Sequence, residues 1–287
     1  MNWGRLITAM VTPFDKNLNV DYAQAVKLAK KLESERSTAI IINGTTGESP
    51  NLTSDEVYKL ISEVKKNVSI PIIAGVGTNN TTKTIENIKN IEELNVDGLL
   101  VIVPYYNKPN QDCMYAHFKI VAESTELPIL LYNVPGRTGV NISVENVKKL
   151  SEIKNIVAIK EASGDVAQFT RMVRETPDDF LVYSGDDILT LPTLSVGGYG
   201  VVSVASNIAG IKMGEMIDAF VNGDTKKATK LNLELTHLFD ALFVTSNPIP
   251  IKKALNLIGF NVGGYRLPLV EPSQQIIEVI KKSLLEI

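Results

Sequence analysis

Lys160 closes the run Ile156-Val157-Ala158-Ile159-Lys160-Glu161 and is followed at once by Ala162-Ser163-Gly164-Asp165. An apolar, β-rich run of that length bounded by a Gly/Ser/Asp turn reads as a buried strand, so this amine stands where a strand opens into a loop. An ordinary lysine has a pKa near ~10.4 and offers the nucleophilic free amine in roughly one molecule in a few thousand at neutral pH. Desolvation shifts that balance towards the amine and suits a lysine to forming a Schiff base with a carbonyl. Taken alone, a lysine at a strand end is more often a plain surface charge. The other residues of the chain reverse that reading.

Asn43-Gly44-Thr45-Thr46-Gly47-Glu48 offers two glycines to turn the backbone tightly and expose its amides, with two hydroxyls beside them. That makes a neutral cradle for a small carboxylate, or simply a strand-to-helix turn. Tyr132 ends another apolar run, and its phenol can donate and accept a proton, as carbinolamine dehydration requires. A tyrosine at the edge of the core would look the same. Arg137, in the loop Val134-Pro135-Gly136-Arg137-Thr138-Gly139, suits a two-pronged grip on a carboxylate, with a surface arginine as the alternative. Tyr105 and Tyr106 are expected to point to opposite sides of an extended chain, one towards the site and one towards a partner subunit.

These groups need elements to position them. Apolar strand-like runs cover 6–11, 39–43, 70–74, 98–103, 129–132, 156–160, 181–184 and 201–204. Segments with helical periodicity lie between them, among them 22–32, 57–68 and 82–94; Thr53 with Glu56 three residues on forms a capping box ahead of the second. Strands alternating with helices imply parallel βαβ units, and eight of them in about 220 residues imply a closed (β/α)8 TIM barrel, an α/β fold. An open doubly wound sheet is the runner-up, but no Gly-x-Gly-x-x-Gly follows any strand. Beyond residue 223 the strand signal ends, and 224–243, 250–258 and 273–285 read as helices. The expected organisation is a barrel over 1–223 and a C-terminal helical region over 224–287. In such barrels the active site lies at the C-terminal ends of the strands, where Thr45, Tyr106, Tyr132, Arg137, Lys160 and Gly185 all fall. Asp186 and Asp187 after the seventh strand would repel phosphate, so a phosphate ester is not the expected substrate.

Composition narrows the setting. The 287 residues are 44% hydrophobic and 21% charged, with a net charge of −3, ordinary for a globular protein and without the basic patch nucleic acid requires. No apolar run approaches the ~20 residues that span a bilayer, and Met1-Asn2-Trp3-Gly4-Arg5 does not begin a signal peptide. The lone Cys113 excludes an internal disulfide framework, and a cytoplasmic location is expected. Cys113 and His117 stand four residues apart but lack the third and fourth ligands a metal needs, so no metal is expected.

Together these residues resemble the pyruvate-dependent, Schiff-base-forming lyase family that includes dihydrodipicolinate synthase and N-acetylneuraminate lyase. The likeness covers nearly the whole chain and rests on Gly44-Thr45-Thr46-Gly47-Glu48, Tyr132-Asn133 and Lys160. Within the family, the paired threonines, Tyr132-Asn133-Val134-Pro135-Gly136-Arg137-Thr138 and Pro104-Tyr105-Tyr106-Asn107-Lys108-Pro109 are similar to the synthase branch. The resemblance implies that Lys160 forms an imine with pyruvate, while Thr45, Tyr132 and a Tyr106 from a neighbouring subunit relay protons. Thr46 and its turn would hold the pyruvate carboxylate, and Arg137 the carboxylate of aspartate semialdehyde. Gly185 and Val202 match positions whose backbone lines the pocket. The implied product is 4-hydroxy-tetrahydrodipicolinate, the entry to diaminopimelate and lysine synthesis. No metal or organic cofactor is implied, and a homodimer or homotetramer is.

Two rivals remain at this level. A sibling lyase acting on a sugar-derived 2-keto acid would want neutral hydroxyl partners rather than Arg137. A barrel that binds a small acid without turnover would not need a nucleophile. Some family members are inhibited by lysine bound near the counterparts of Ser49, Pro50, Asn79, Lys83 and Tyr105. The lysine-sensitive pattern has a glutamate at position 83 and histidines at positions 54 and 57, where this chain has Lys83, Ser54 and Val57.

Overall fold

A computed structural model of the chain describes residues 3–286. Its eight strands are β1 (Leu6–Ala9), β2 (Ala39–Ile42), β3 (Ile72–Gly75), β4 (Gly98–Ile102), β5 (Ile129–Asn133), β6 (Ile156–Glu161), β7 (Leu181–Ser184) and β8 (Gly200–Ser203). They are ordered β1 to β8 in a closed barrel, as expected from their spacing. The helices are α1 (Tyr22–Ser34), α2 (Ser54–Lys65), α3 (Thr81–Ile91), α4 (Gln111–Glu123), α5 (Pro135–Thr138), α6 (Val144–Ser151), α7 (Val166–Glu175), α8 (Thr190–Ser195) and α9 (Ser206–Val221). The chain continues with α10 (Thr225–Leu242), α11 (Ile249–Leu257) and α12 (Gln274–Leu284), matching the three helices expected after residue 223.

The strands are buried on both faces, which suits the continuous apolar runs Ala39-Ile40-Ile41-Ile42 and Gly98-Leu99-Leu100-Val101-Ile102. Most of the helices begin where a side chain satisfies one of their first amides. Thr53 Oγ1 accepts from Glu56 N at 3.2 Å while Thr53 N donates to Glu56 Oε2 at 3.0 Å, so both arms of the capping box ahead of α2 are made. Asp21, Asn80, Asn110, Ser143, Asp165, Asp224 and Ser273 cap other helices with the one arm, each side chain accepting from an amide of the first turn.

The residues group into two compact units. One is Ile73–Val202 with the N-terminal Trp3, whose indole Nε1 donates to Asp97 O at 3.1 Å. Gly98 begins β4 where a Cβ would lie 2.4 Å from the Trp3 ring, so only glycine admits that indole. Within this unit β5 and β6 run in parallel with Tyr132 beside Lys160 and Asn133 beside Glu161, and β6 and β7 place Lys160 beside Tyr183. The other unit is Gly4–Ile72 with Ser203–Ile287, and it holds β1, β2 and the last four helices. There Thr8, Ser37 and Ser206 share a buried hydroxyl chain, with oxygens 2.6 and 2.7 Å apart.

Cys113 is exposed on α4, whereas His117 on the same helix is buried. His117 Nδ1 lies 2.9 Å from Thr81 Oγ1, its ring meets Phe118 edge-on, and Nε2 is buried without a partner. Burial therefore holds its pKa down at about 4 from an ordinary 6.5. Because the folded value is the lower one, the unfolded chain takes up this proton first as pH falls. The stability that neutral His117 supports is complete above 6.5 and lost progressively towards about 4, at roughly 1.4 kcal/mol per pH unit. Melting temperatures of the wild type and His117→Gln, compared at about pH 7 and about pH 4.5, should show the smaller acid-induced drop in the variant.

Candidate active site

Lys160 is the next-to-last residue of β6 and is only 6% exposed. Parallel pairing with β5 sets Tyr132 alongside, and the ammonium lies over the face of that ring, 4.3 Å from its centroid. The amine thus meets the π face of the phenol, an attraction suited to a buried cation. On the β7 side Gly185 closes the space: a Cβ there would stand 2.7 Å from Ala162 Cβ, 3.0 Å from Lys160 Cε and 3.1 Å from Lys160 Cγ. Burial pushes the Asp186 carboxyl above its usual range, and the positive charge of Lys160 pulls it back. Tyr132, Lys160 and Gly185, three of the residues singled out by sequence, are brought together.

A second layer holds them there. Asn133 Nδ2 donates to Glu161 Oε2 at 2.8 Å and to Asn141 Oδ1 at 2.7 Å, while its own Oδ1 accepts from Ile142 N at 3.2 Å. Glu161 Oε1 accepts from Ser163 N at 2.7 Å, and Gln168 Nε2 reaches both Asn141 Oδ1 and Glu161 Oε2. Burial raises the pKa of Glu161, and these hydrogen bonds oppose the rise. The backbone completes the lattice, with Ala162 N on Asn133 O at 2.9 Å and Gly185 N on Glu161 O at 2.7 Å. Sequence reasoning passed over Asn133 as a working residue and missed Asn141, Glu161 and Gln168. The available signal was polar residues directly following Tyr132 and Lys160 on adjacent buried strands.

Tyr106 differs from the expectation of an extended chain. Its φ is 72°, and Asn107 N donates to Tyr105 O at 2.8 Å across it, a tight three-residue turn. Positive φ is strained for a bulky side chain. The alternation predicted for Tyr105 and Tyr106 therefore fails, and both rings are exposed, Tyr106 at 86%. Arg137 is exposed on the short α5, which Pro135 opens and Gly139 closes with φ 74°. Val202 is fully buried in β8.

Thr45 and Thr46 lie in a single turn of 3₁₀ helix after β2, with Thr46 buried. The glycines are not what bends this turn: the left-handed residues are Asn43, with φ 62°, and Glu48, with φ 58°. Gly47 serves close approach instead, since a Cβ would lie 3.3 Å from both Met10 O and Thr12 Oγ1. Glu48, quoted in the motif without a role, is wholly buried and paired with Lys252 Nζ at 2.7 Å. Lys252 was also missed. Its signal was a lysine three residues from both Ile249 and Leu255, on the apolar face of α11. Among the described residues no cluster of His, Cys, Asp and Glu could hold a metal, and no helix is long and apolar enough to cross a membrane.

Lys160 and Tyr132 thus set a buried amine over a phenol ring at adjacent strand ends of a parallel (β/α)8 barrel. The chain belongs to the dihydrodipicolinate synthetase family, whose profile matches residues 2–287. It is 51% identical over 288 residues to the 4-hydroxy-tetrahydrodipicolinate synthase of Moorella thermoacetica, covering 100% of this chain and 99% of that one. A crystal structure of dihydrodipicolinate synthase from Bacillus anthracis is 49% identical and superimposes with a TM-score of 0.98 over 100% of this chain and 99% of its own. The enzyme from Cyanidioschyzon merolae, solved with lysine bound, is 47% identical with a TM-score of 0.97, covering 99% and 98%.

Gly185→Ala should separate packing from reactivity. The added methyl displaces the Lys160 stem at a cost of about 1–3 kcal/mol in stability. Modification of Lys160 by a small ketone with borohydride should slow roughly 10–100-fold, because misplacing a reacting group by an ångström has that effect. Peptide mass spectrometry over a time course measures it.

Proposed function

We propose that this chain is a 4-hydroxy-tetrahydrodipicolinate synthase, condensing pyruvate with L-aspartate 4-semialdehyde through an imine on Lys160. The observation that carries the reading is the buried Lys160 amine over the Tyr132 ring at 4.3 Å, with a glycine where any side chain would crowd it. Relatives about 50% identical over their whole length, which bear that name, support it.

In this reading Lys160 Nζ attacks the pyruvate ketone, and water leaves to give the imine. Loss of a methyl proton yields the enamine, whose carbon adds to the aldehyde of the second substrate. The amine of the semialdehyde then displaces Lys160, closing the ring and restoring the free lysine. Tyr132, Thr45 and a Tyr106 from a neighbouring subunit move the protons. Thr46 holds the pyruvate carboxylate, Arg137 that of the semialdehyde, and Gly185 and Val202 line the pocket. The exposure and the strained backbone of Tyr106 fit a side chain that works outside its own subunit. A homodimer or homotetramer in the cytoplasm follows from the same reading. We assign the barrel to residues 1–223 and a helical region that serves it to 224–287.

Incubation with pyruvate and borohydride should inactivate the protein and place the reduced pyruvyl mass on the Lys160 peptide. Labelling elsewhere, or none, sinks the mechanism. A coupled assay with pyruvate and aspartate semialdehyde, run beside N-acetylneuraminate cleavage, should give turnover in the first only.

Lysine should inhibit weakly or not at all. Lys83 Nζ on α3 lies 3.2 Å from Glu86 Oε2, and this exposed pair carries no net charge where a glutamate would add a negative one. Losing an attraction of roughly 1–4 kcal/mol for the effector's ammonium weakens binding at least about fivefold. Initial rates at subsaturating pyruvate should therefore stay flat to about millimolar lysine; saturable inhibition below that contradicts the charge argument.

A further inference from the structure

Glu48 stands where glycine would be the cheapest residue. It ends the Thr45–Gly47 turn with φ 58° and ψ 37°, a left-handed conformation that a Cβ disfavours. Its carboxylate is fully buried, bonded to Lys252 Nζ at 2.7 Å, Arg266 N at 3.2 Å and Asn51 Nδ2 at 3.3 Å. The Lys252 ammonium is enclosed as well, 4.1 Å from the centroid of the Phe14 ring and 5.4 Å from that of Tyr265. Tyr265 is itself fixed by its hydroxyl, which donates to Ile249 O at 3.0 Å. Folding alone does not favour such a pair, because well-packed apolar residues of the same shape commonly do as well or better. A buried pair does supply direction: each charge can be satisfied in only one arrangement of the chain.

Two further bonds converge on the same turn. Asn247 Nδ2 donates to Thr46 Oγ1 at 3.0 Å, and Thr12 Oγ1 donates to Gly47 O at 2.6 Å. A hydroxyl has one proton to give and two lone pairs to accept with. By occupying a lone pair of Thr46, Asn247 leaves the hydroxyl proton to be donated elsewhere, the polarity a bound carboxylate requires.

We infer that Lys252, Glu48 and Asn247 are positioning residues, through which the C-terminal helices fix the Thr45–Thr46 turn and hence the binding of the pyruvate carboxylate. The inference rests on the reading of Thr46 as the carboxylate-holding residue. It assigns to α11 and the segment before it a part in substrate affinity, not only in folding.

The test uses three full-length variants: Lys252→Met, Glu48→Gln combined with Lys252→Met, and Asn247→Ala. Each is measured for melting temperature, for KM of both substrates and for borohydride trapping against pyruvate concentration. Lys252→Met strands a buried carboxylate, so it should lower the melting temperature and raise the pyruvate KM about tenfold or more. The double variant removes both charges and should regain most of the melting temperature while keeping the raised pyruvate KM, since the ion pair that ties residue 48 to α11 is then gone. Asn247→Ala should raise the pyruvate KM several-fold, with a change of less than about twofold for the semialdehyde. A double variant with wild-type pyruvate KM overturns the inference, as does an equal loss of affinity for both substrates. If Lys252→Met fails to fold, the double variant and Asn247→Ala decide the matter alone. Wild-type protein that traps no pyruvate on Lys160 refutes the reaction itself; trapping at unchanged pyruvate concentration in all three variants refutes only the positioning.

Discussion

The hydrogen bond from Asn133 to Glu161 ties two adjacent parallel strands one residue beyond the positions that carry Tyr132 and Lys160. The backbone ladder continues one step past those residues, from Ala162 N to Asn133 O and from Gly185 N to Glu161 O, and the side-chain bond adds to it. A buried amide and carboxylate cannot slip by a residue without losing their partners, and a buried polar group without a partner costs about 1–3 kcal/mol. Gln168, Asn141 and Ser163 extend the tie to α7 and to the loops after both strands. The closeness of amine and ring therefore follows from register, which the polar side chains one residue further on reinforce.

A comparable solution holds the Thr45–Thr46 turn. There the lock is ionic and comes from a helix some two hundred residues later in the chain, where Lys252 meets Glu48. Both locks lie directly after the residues they steady, at position 161 after Lys160 and at position 48 after Gly47. The carboxylates share burial but differ in partner: amides and backbone for Glu161, a full ammonium for Glu48. Burial leaves Glu161 with a raised pKa, in keeping with neutral partners that compensate its charge only in part.

Most of the architecture was legible in the chain because barrel strands and helices announce themselves by local patterning. The eight runs, the Thr53–Glu56 cap and the three late helices depend on residues near one another in sequence. The nearness of Lys160 and Tyr132 was legible too, since a strand end fixes where a side chain must be, whereas Gly185 was singled out through the family resemblance. What escaped was set by contacts between distant segments. Lys252 looks like one more helical lysine until Glu48, Phe14 and Tyr265 are seen around it. Tyr106 escaped for a different reason, as nothing in Tyr105-Tyr106-Asn107 announces a left-handed residue, and alternation was the natural assumption. Glycine misled once: the bend after β2 falls on Asn43 and Glu48, not on Gly44 or Gly47.

The glycine beside Lys160 has a kinetic meaning. A lysine side chain in water samples many rotamers, and restraining it forfeits about 2 kcal/mol of conformational entropy. Here the stem runs between Ala162, the missing side chain of Gly185 and the Tyr132 ring, so that freedom is surrendered once, when the chain folds. An amine on a loose stem would lose it again on every approach to a carbonyl, and about 1.4 kcal/mol is already tenfold in rate. If Lys160 is the nucleophile proposed for it, the ordering made once at folding is then not repeated at each encounter with a carbonyl.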